Sequence, residues 1–158
     1  MSLPASPVFW GVAALALGAL LATCDAVRPG ATADAPAARR AETTRDLLSG
    51  TCLREYTSRD VRVRRVLSLQ PDGAFREAVR GVDPAGTVVE HVHEGTWLYD
   101  GTNLKRKYTL VDGNPPSRLN LPFATFEIAF ETRNEFVGVD HIHRNRIVYT
   151  RVPEDTRP

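Results

Sequence analysis

All four histidines of the chain lie in two His-x-His pairs, and each pair follows an acidic residue. The pairs are His91 with His93 and His141 with His143. Neutral imidazole is a good ligand for zinc and copper, and residues two apart on a strand point to the same side. If both pairs face one cavity, they predict a site for Zn or Cu. The alternative is that hydrogen bonds to nearby tyrosines or arginines satisfy the four rings.

Other patterns that point to catalysis are missing from the sequence. It contains no Gly-x-Ser-x-Gly, no His-Glu-x-x-His, no Cys-x-x-Cys and no glycine-rich phosphate loop. We therefore expect a protein that performs no chemistry. The alternative is a small metal-dependent enzyme that uses the two histidine pairs.

Length and charge are those of one ordinary globular domain. The 158 residues include 20 Lys and Arg and 19 Asp and Glu, interleaved along the chain, for a formal net charge of +1. Nucleic-acid binding normally requires a basic face, so that function class is disfavoured. The densest basic cluster, Arg62, Arg64 and Arg65, is interpreted as a solvated strand face. We expect one domain and a monomer.

Residues 1–26 are typical of an export signal. The apolar run from Val8 to Ala22 has the length of a secretory h-region and is shorter than the roughly 20 residues of a membrane-spanning helix. It ends in LATC, which resembles the lipobox of bacterial lipoproteins, with Thr23 where that family prefers Gly, Ala or Ser. This resemblance implies lipidation at Cys24, and the alternative is signal peptidase cleavage near that residue. Either route predicts an exported protein, periplasmic or membrane-anchored.

The rest of the chain divides into a tether, a domain and a tail. Residues 27–42 are rich in Ala and Pro without apolar periodicity, and are predicted to be a disordered tether. Residues 43–153 form the predicted domain, and 154–158 a disordered tail.

Within the domain, alternating apolar and polar residues predict β-strands. Val61, Val63, Leu67 and Leu69 alternate with polar residues, and Pro71-Asp72-Gly73 is typical of a tight hairpin. Similar signals give eight strands, at 51–58, 61–69, 75–82, 87–99, 104–111, 124–131, 135–143 and 146–152. We predict an all-β fold, a single antiparallel up-and-down barrel of about eight strands, because closure removes exposed strand edges.

Two short elements suggest a family. Gly50-Thr51-Cys52 and Gly95-Thr96-Trp97 look like the Gly-x-Trp element of lipocalin-like domains, with Cys52 in place of the first tryptophan. The meander from Leu48 to Val152 is similar in length and strand count to small bacterial lipocalin-like domains on envelope lipoproteins. The resemblance implies a barrel that binds a small, mostly apolar molecule.

Alternation also predicts which residues line the barrel. If Trp97 faces inward, His91 and His93 do too, and the apolar pair Val137 and Val139 predicts the same for His141 and His143. An apolar wall with a few polar groups is the usual composition of a small-molecule pocket. The candidate ligand-binding residues are Val89, His91, His93, Trp97, Tyr108, Phe126, Phe130, His141, His143 and Tyr149. The remaining alternative is a structural or interaction module whose barrel is filled by Trp97 and the phenylalanines.

Overall fold

The computed structural model describes residues 34–118 and 122–158, which form one helix and a closed eight-stranded barrel. The elements are α1 (Asp34–Leu48), β1 (Gly50–Ser58), β2 (Val61–Leu69), β3 (Ala74–Val82), β4 (Val88–Tyr99), β5 (Asn103–Val111), β6 (Phe123–Thr132), β7 (Glu135–Asp140) and β8 (Arg146–Arg151). Each strand pairs antiparallel with the next, and β8 returns to β1 where Cys52 pairs with Arg151. The predicted fold class is confirmed.

Most strand limits agree with the sequence prediction to within a residue, but β7 is shorter. It ends at Asp140, and residues 141–143 form a turn. Asp140 Oδ1 accepts hydrogen bonds from the backbone N–H groups of Ile142 at 2.6 Å and His143 at 3.3 Å. A short side-chain acceptor that competes for backbone donors in this way favours a turn over continued strand pairing. The prediction of strand structure through His143 was therefore wrong.

The helix occupies part of the predicted tether. Residues 34–42, which we expected to belong to the tether, form the first turns of α1. Alanine has the highest helix propensity, and four alanines in this stretch favour helix even without an apolar stripe. The signal segment, Cys24 and residues 27–33 lie outside the described residues. Within the described ranges, no helix is both long and apolar enough to cross a bilayer.

The two ends of the barrel differ. The helix end carries α1 and the turns β2–β3, β4–β5 and β6–β7, whereas the far end carries the other four turns. The apolar core extends from the helix end into the barrel, and it consists of Leu48, Cys52, Leu67, Leu69, Phe75, Trp97, Leu104, Phe136, Ile147 and Tyr149. Burial of apolar area at about 25 cal/mol per Å² makes this core the main source of stability.

Polar contacts at the helix end join the strands to α1 and to the β2–β3 turn. The Trp97 indole N–H donates to the Gln70 carbonyl at 2.8 Å, and the Arg45 guanidinium lies 5.7 Å from the Trp97 ring centroid. Arg151, the last residue of β8, donates to the carbonyl oxygens of Leu47 and Ser49 at the end of the helix. These bonds satisfy helix C-terminal carbonyls that would otherwise lack partners.

Ion pairs cover the outer face of β1–β4. Glu55 pairs with Arg64 at 3.1 Å, and Arg80 pairs with Glu90 at 3.4 Å. All four side chains are substantially exposed, so each pair contributes about 0–1 kcal/mol. Arg62 lies on the same outer face, as predicted for a solvated strand.

Candidate functional site: a buried charge cluster inside the barrel

Glu77 is the centre of a polar cluster inside the barrel. It lies on β3 between Phe75 and Val79 on the inward face, and it is fully buried. Its Oε1 accepts hydrogen bonds from Arg106 Nη1 at 3.1 Å and Tyr149 Oη at 3.0 Å. Its Oε2 accepts from Arg65 Nη1 at 3.2 Å and lies 3.3 Å from His93 Nδ1. We call these five residues the Glu77 cluster.

The cluster keeps Glu77 ionised. Burial alone would raise the pKa of this carboxyl, but attraction to Arg106, the hydrogen bond from His93 and attraction to Arg65 together hold the pKa well below its usual range. Because the carboxylate can only accept, His93 Nδ1 carries the proton in their hydrogen bond. Burial raises the pKa of the Tyr149 hydroxyl, which therefore remains a donor at neutral pH.

Positive charge exceeds negative charge in this region. Arg54 neighbours Arg65 directly across β1 and β2, and both influence the Tyr149 hydroxyl electrostatically, as does Arg106. Three guanidinium groups therefore influence one phenol, and Glu77 is the carboxylate bonded to two of them. In the described part of the chain, Arg54 has no carboxylate within salt-bridge distance, and it stacks over the Tyr56 ring at 4.2 Å.

Aromatic rings enclose Arg106. Its guanidinium carbon lies 5.2 Å from the Phe126 ring centroid, 5.5 Å from that of Phe75 and 5.6 Å from that of Tyr108. The arginine is 4% exposed, and its Nε is buried without a hydrogen-bond partner among the described residues. Cation–π attraction offsets part of the desolvation cost of the guanidinium, but it leaves the Nε proton unsatisfied.

Exposure increases from Glu77 toward the far end. The Glu77 side chain is 0% exposed, whereas those of His93 and Arg65 are 22% and 27% exposed. Val88, Val89, Phe123 and Ile142, all on far-end segments, are exposed apolar side chains. Of these, Val89 lies on the inward face of β4, whereas Val88 and Phe123 lie on the outer face of the barrel. Within the cluster, His93 and Arg65 are partly open to solvent and Glu77 is not.

The two histidines of the first pair have different partners. His93 belongs to the Glu77 cluster and packs edge to face on Tyr108. His91 is about half exposed, and its Nδ1 lies 2.8 Å from Asp112 Oδ2 in the β5–β6 connection. Both rings lie on the predicted side of β4 and stack with centroids 6.4 Å apart.

The second pair does not join the first. His141 and His143 are exposed in the turn after β7, and His143 Nδ1 lies 3.3 Å from Asp140 Oδ2. Inward positions on β7 are Phe136 and Gly138, so Val137 and Val139 face outward, and the face assignment from these valines was wrong. The residues in the described ranges contain no group of three or more His, Cys, Asp or Glu placed to hold a metal ion.

The remaining candidate residues fall into three places. Tyr108, Phe126 and Tyr149 lie at the cluster, together with His93. Trp97 and Phe130 belong to the packing of the helix end. Val89 lies near the far-end start of β4, 52% exposed.

A separate hollow of about 540 Å³ adjoins β1–β3 near the far end. None of the candidate ligand-binding residues lines it. Its lining includes Arg62, Arg64 and Arg80 on the outer face, together with Tyr56. It offers a basic surface outside the Glu77 cluster.

The sequence prediction missed the charged residues of the cluster. Arg65 was assigned to a solvated face with Arg62 and Arg64, but it occupies the inward position between Val63 and Leu67. Glu77 and Arg106 likewise occupy inward positions, flanked by Phe75 and Val79 and by Leu104 and Tyr108. A charged residue between two apolar residues at i−2 and i+2 is the signal that would have found all three.

The barrel is compatible with a lipocalin-like fold. No protein-family model matches the chain, and a comparison with curated proteins found no significant match.

The ionised state of Glu77 predicts sensitivity to acid. An unfolded glutamate titrates near pH 4.3, and the folded pKa is lower, so the stabilisation is present above about pH 4.3 and is lost as the pH falls toward the folded pKa. Urea unfolding at pH 7 and pH 3 should show a lower unfolding free energy at pH 3. Asp100, an exposed carboxyl whose pKa is lowered mainly by its hydrogen bond with Lys105, provides the control. An Asp100→Asn variant that lost the acid sensitivity would contradict the assignment to Glu77.

Proposed function

We propose that the far-end half of the barrel binds a small ligand with a mostly apolar body, without chemical conversion. The observation that carries the proposal is the contrast between the two ends. Leu48, Leu69, Trp97 and α1 close the helix end, whereas farther along the interior the Glu77 cluster presents aromatic rings and partly exposed polar groups. Apolar walls with a few convergent polar groups are typical of ligand sites.

Lipocalin-like family membership and export belong to the same proposal. Strand count, strand order and the Gly95-Thr96-Trp97 element support the family, and the pattern of residues 1–26 supports delivery to a bacterial periplasm or a membrane anchor through Cys24. A soluble carrier or sensor of an apolar compound fits that compartment.

A neutral fluorescent probe tests the proposed function. The purified full chain should bind N-phenyl-1-naphthylamine saturably, with one site per chain. Ala124 pairs with Arg106 across β5 and β6, so an Ala124→Trp substitution places an indole at the cluster. We expect this variant to weaken probe binding at least about tenfold.

Thr125→Trp is the matched control. Thr125 pairs with Lys105 on the outer face, so its indole should leave probe binding unchanged. Equal affinities of the two variants would place the probe outside the barrel. Absence of saturable binding to the unmodified protein would instead favour a filled barrel with a structural role.

A further inference from the structure

The charges inside the barrel are not balanced by the protein itself. Arg54 is the cross-strand neighbour of Arg65, and the carboxylate of Glu77 bonds to Arg65 and Arg106 but not to Arg54. Burying an unpaired charge is costly, so interior cations are normally paired with carboxylates or with a ligand. Two positive charges remain in excess at this site, even with His93 neutral.

Hydrogen-bonding capacity is also left unused. Arg106 is 4% exposed, and its Nε has no partner in the described residues. Arg54 contacts the Tyr56 ring but makes no ion pair with a described carboxylate. A guanidinium presents several N–H donors in a plane, which suits the two oxygens of a carboxylate.

We propose that the ligand carries an anionic group, a carboxylate or a chemically similar monoanion on an apolar body, and that this group binds Arg54 and Arg106 beside Glu77. The proposal rests on the proposed function and specifies the ligand class of the same site. The anion would replace the missing countercharge, while Tyr108 and Phe126 contact the apolar body. Glu77 stays in place to hold Arg65 and Arg106 in position.

Decanoate and decan-1-ol form a matched probe pair, because they share the apolar chain and differ in charge. Each competes with N-phenyl-1-naphthylamine for the full-length protein at neutral pH. We expect decanoate to bind at least about tenfold more tightly than decan-1-ol, which corresponds to about 1.4 kcal/mol. Acetate and inorganic phosphate alone should not displace the probe at comparable concentrations, because they lack the apolar body.

Three variants locate the anion. Arg54→Gln should reduce decanoate affinity about tenfold and leave decan-1-ol affinity unchanged, since Arg54 lies outside the hydrogen bonds that hold Glu77. Arg54→Lys keeps the charge and should retain most of the preference. Arg62→Gln is the matched control, because Arg62 is an exposed arginine on the outer face that lines the separate hollow.

The possible outcomes separate this inference from the proposed function. Equal binding of decanoate and decan-1-ol would overturn the anion site while leaving small-molecule binding intact. A loss with Arg62→Gln as large as with Arg54→Gln would move the anion to the outer hollow and overturn the assignment. Displacement of the probe by acetate or phosphate alone would indicate a site for free anions and would overturn the requirement for an apolar body. Failure of all three apolar probes to bind would overturn both proposals.

Discussion

Replacing Glu77 with glutamine is expected to lower the unfolding free energy by about 3–5 kcal/mol, the range for removing one partner of a buried ion pair. The carboxylate accepts from four side chains, and its loss leaves Arg65 and Arg106 without a countercharge in the barrel. The amide has almost the same volume, so packing is preserved and the change reports on charge and hydrogen bonding. The measurement is the urea midpoint at neutral pH with an unchanged slope.

Glu55→Gln provides the matched control for this experiment. Glu55 also pairs with an arginine, Arg64, at a similar distance of 3.1 Å, but its side chain is 60% exposed. Solvent screens such a pair, so the expected cost is about 0–1 kcal/mol. Similar losses in the two variants would show that burial of Glu77 does not determine its contribution.

The barrel could be predicted from the sequence because turns and alternation agree along most of the chain. On β2, one face is apolar at Val63, Leu67 and Leu69, and Gly73 with positive φ closes the following hairpin. When a strand has one clear alternating pattern and lies between two clear turns, it can pair with its neighbours in a single register. In a meander of this kind the first and last strands have unpaired edges, and pairing these two strands closes the barrel and removes both edges.

The site was harder to predict because its inward face is charged. Alternation assigns a face by its apolar residues, and the cluster places Arg65 and Arg106 where apolar residues are expected. On β7 both faces are apolar, with Phe136 inward and Val137 outward, so period 2 cannot choose between them. The two histidine pairs were predicted on β4 and β7, which are three strands apart in the barrel. Whether side chains on such strands meet depends on the curvature of the barrel and on the lengths of the strands, and no local sequence pattern encodes either.

Substituting alanine for Gly95 is expected to destabilise the barrel by about 3 kcal/mol or more, at the upper end of the usual cost of overpacking. Gly95 lies at the bulge where the pairing of β4 with β5 shifts register. A Cβ atom there would lie 1.9 Å from the Lys107 carbonyl oxygen and 2.9 Å from Phe75 Cε1. The first contact is with backbone, so relief requires β4 and β5 to separate beside Trp97.

Gly81→Ala is the control, since Gly81 also lies in a strand of the same barrel. Its added Cβ would approach Val61 Cγ1 at 3.3 Å, and a valine side chain can shift by a few tenths of an ångström. Alanine also reduces the conformational freedom of the unfolded chain, so the expected change is within about 1 kcal/mol of zero. Both variants are compared by urea unfolding, followed by circular dichroism of the sheet. A Gly95→Ala protein as stable as Gly81→Ala would mean that the bulge can move, and that glycine is not required for the close approach of β4 and β5.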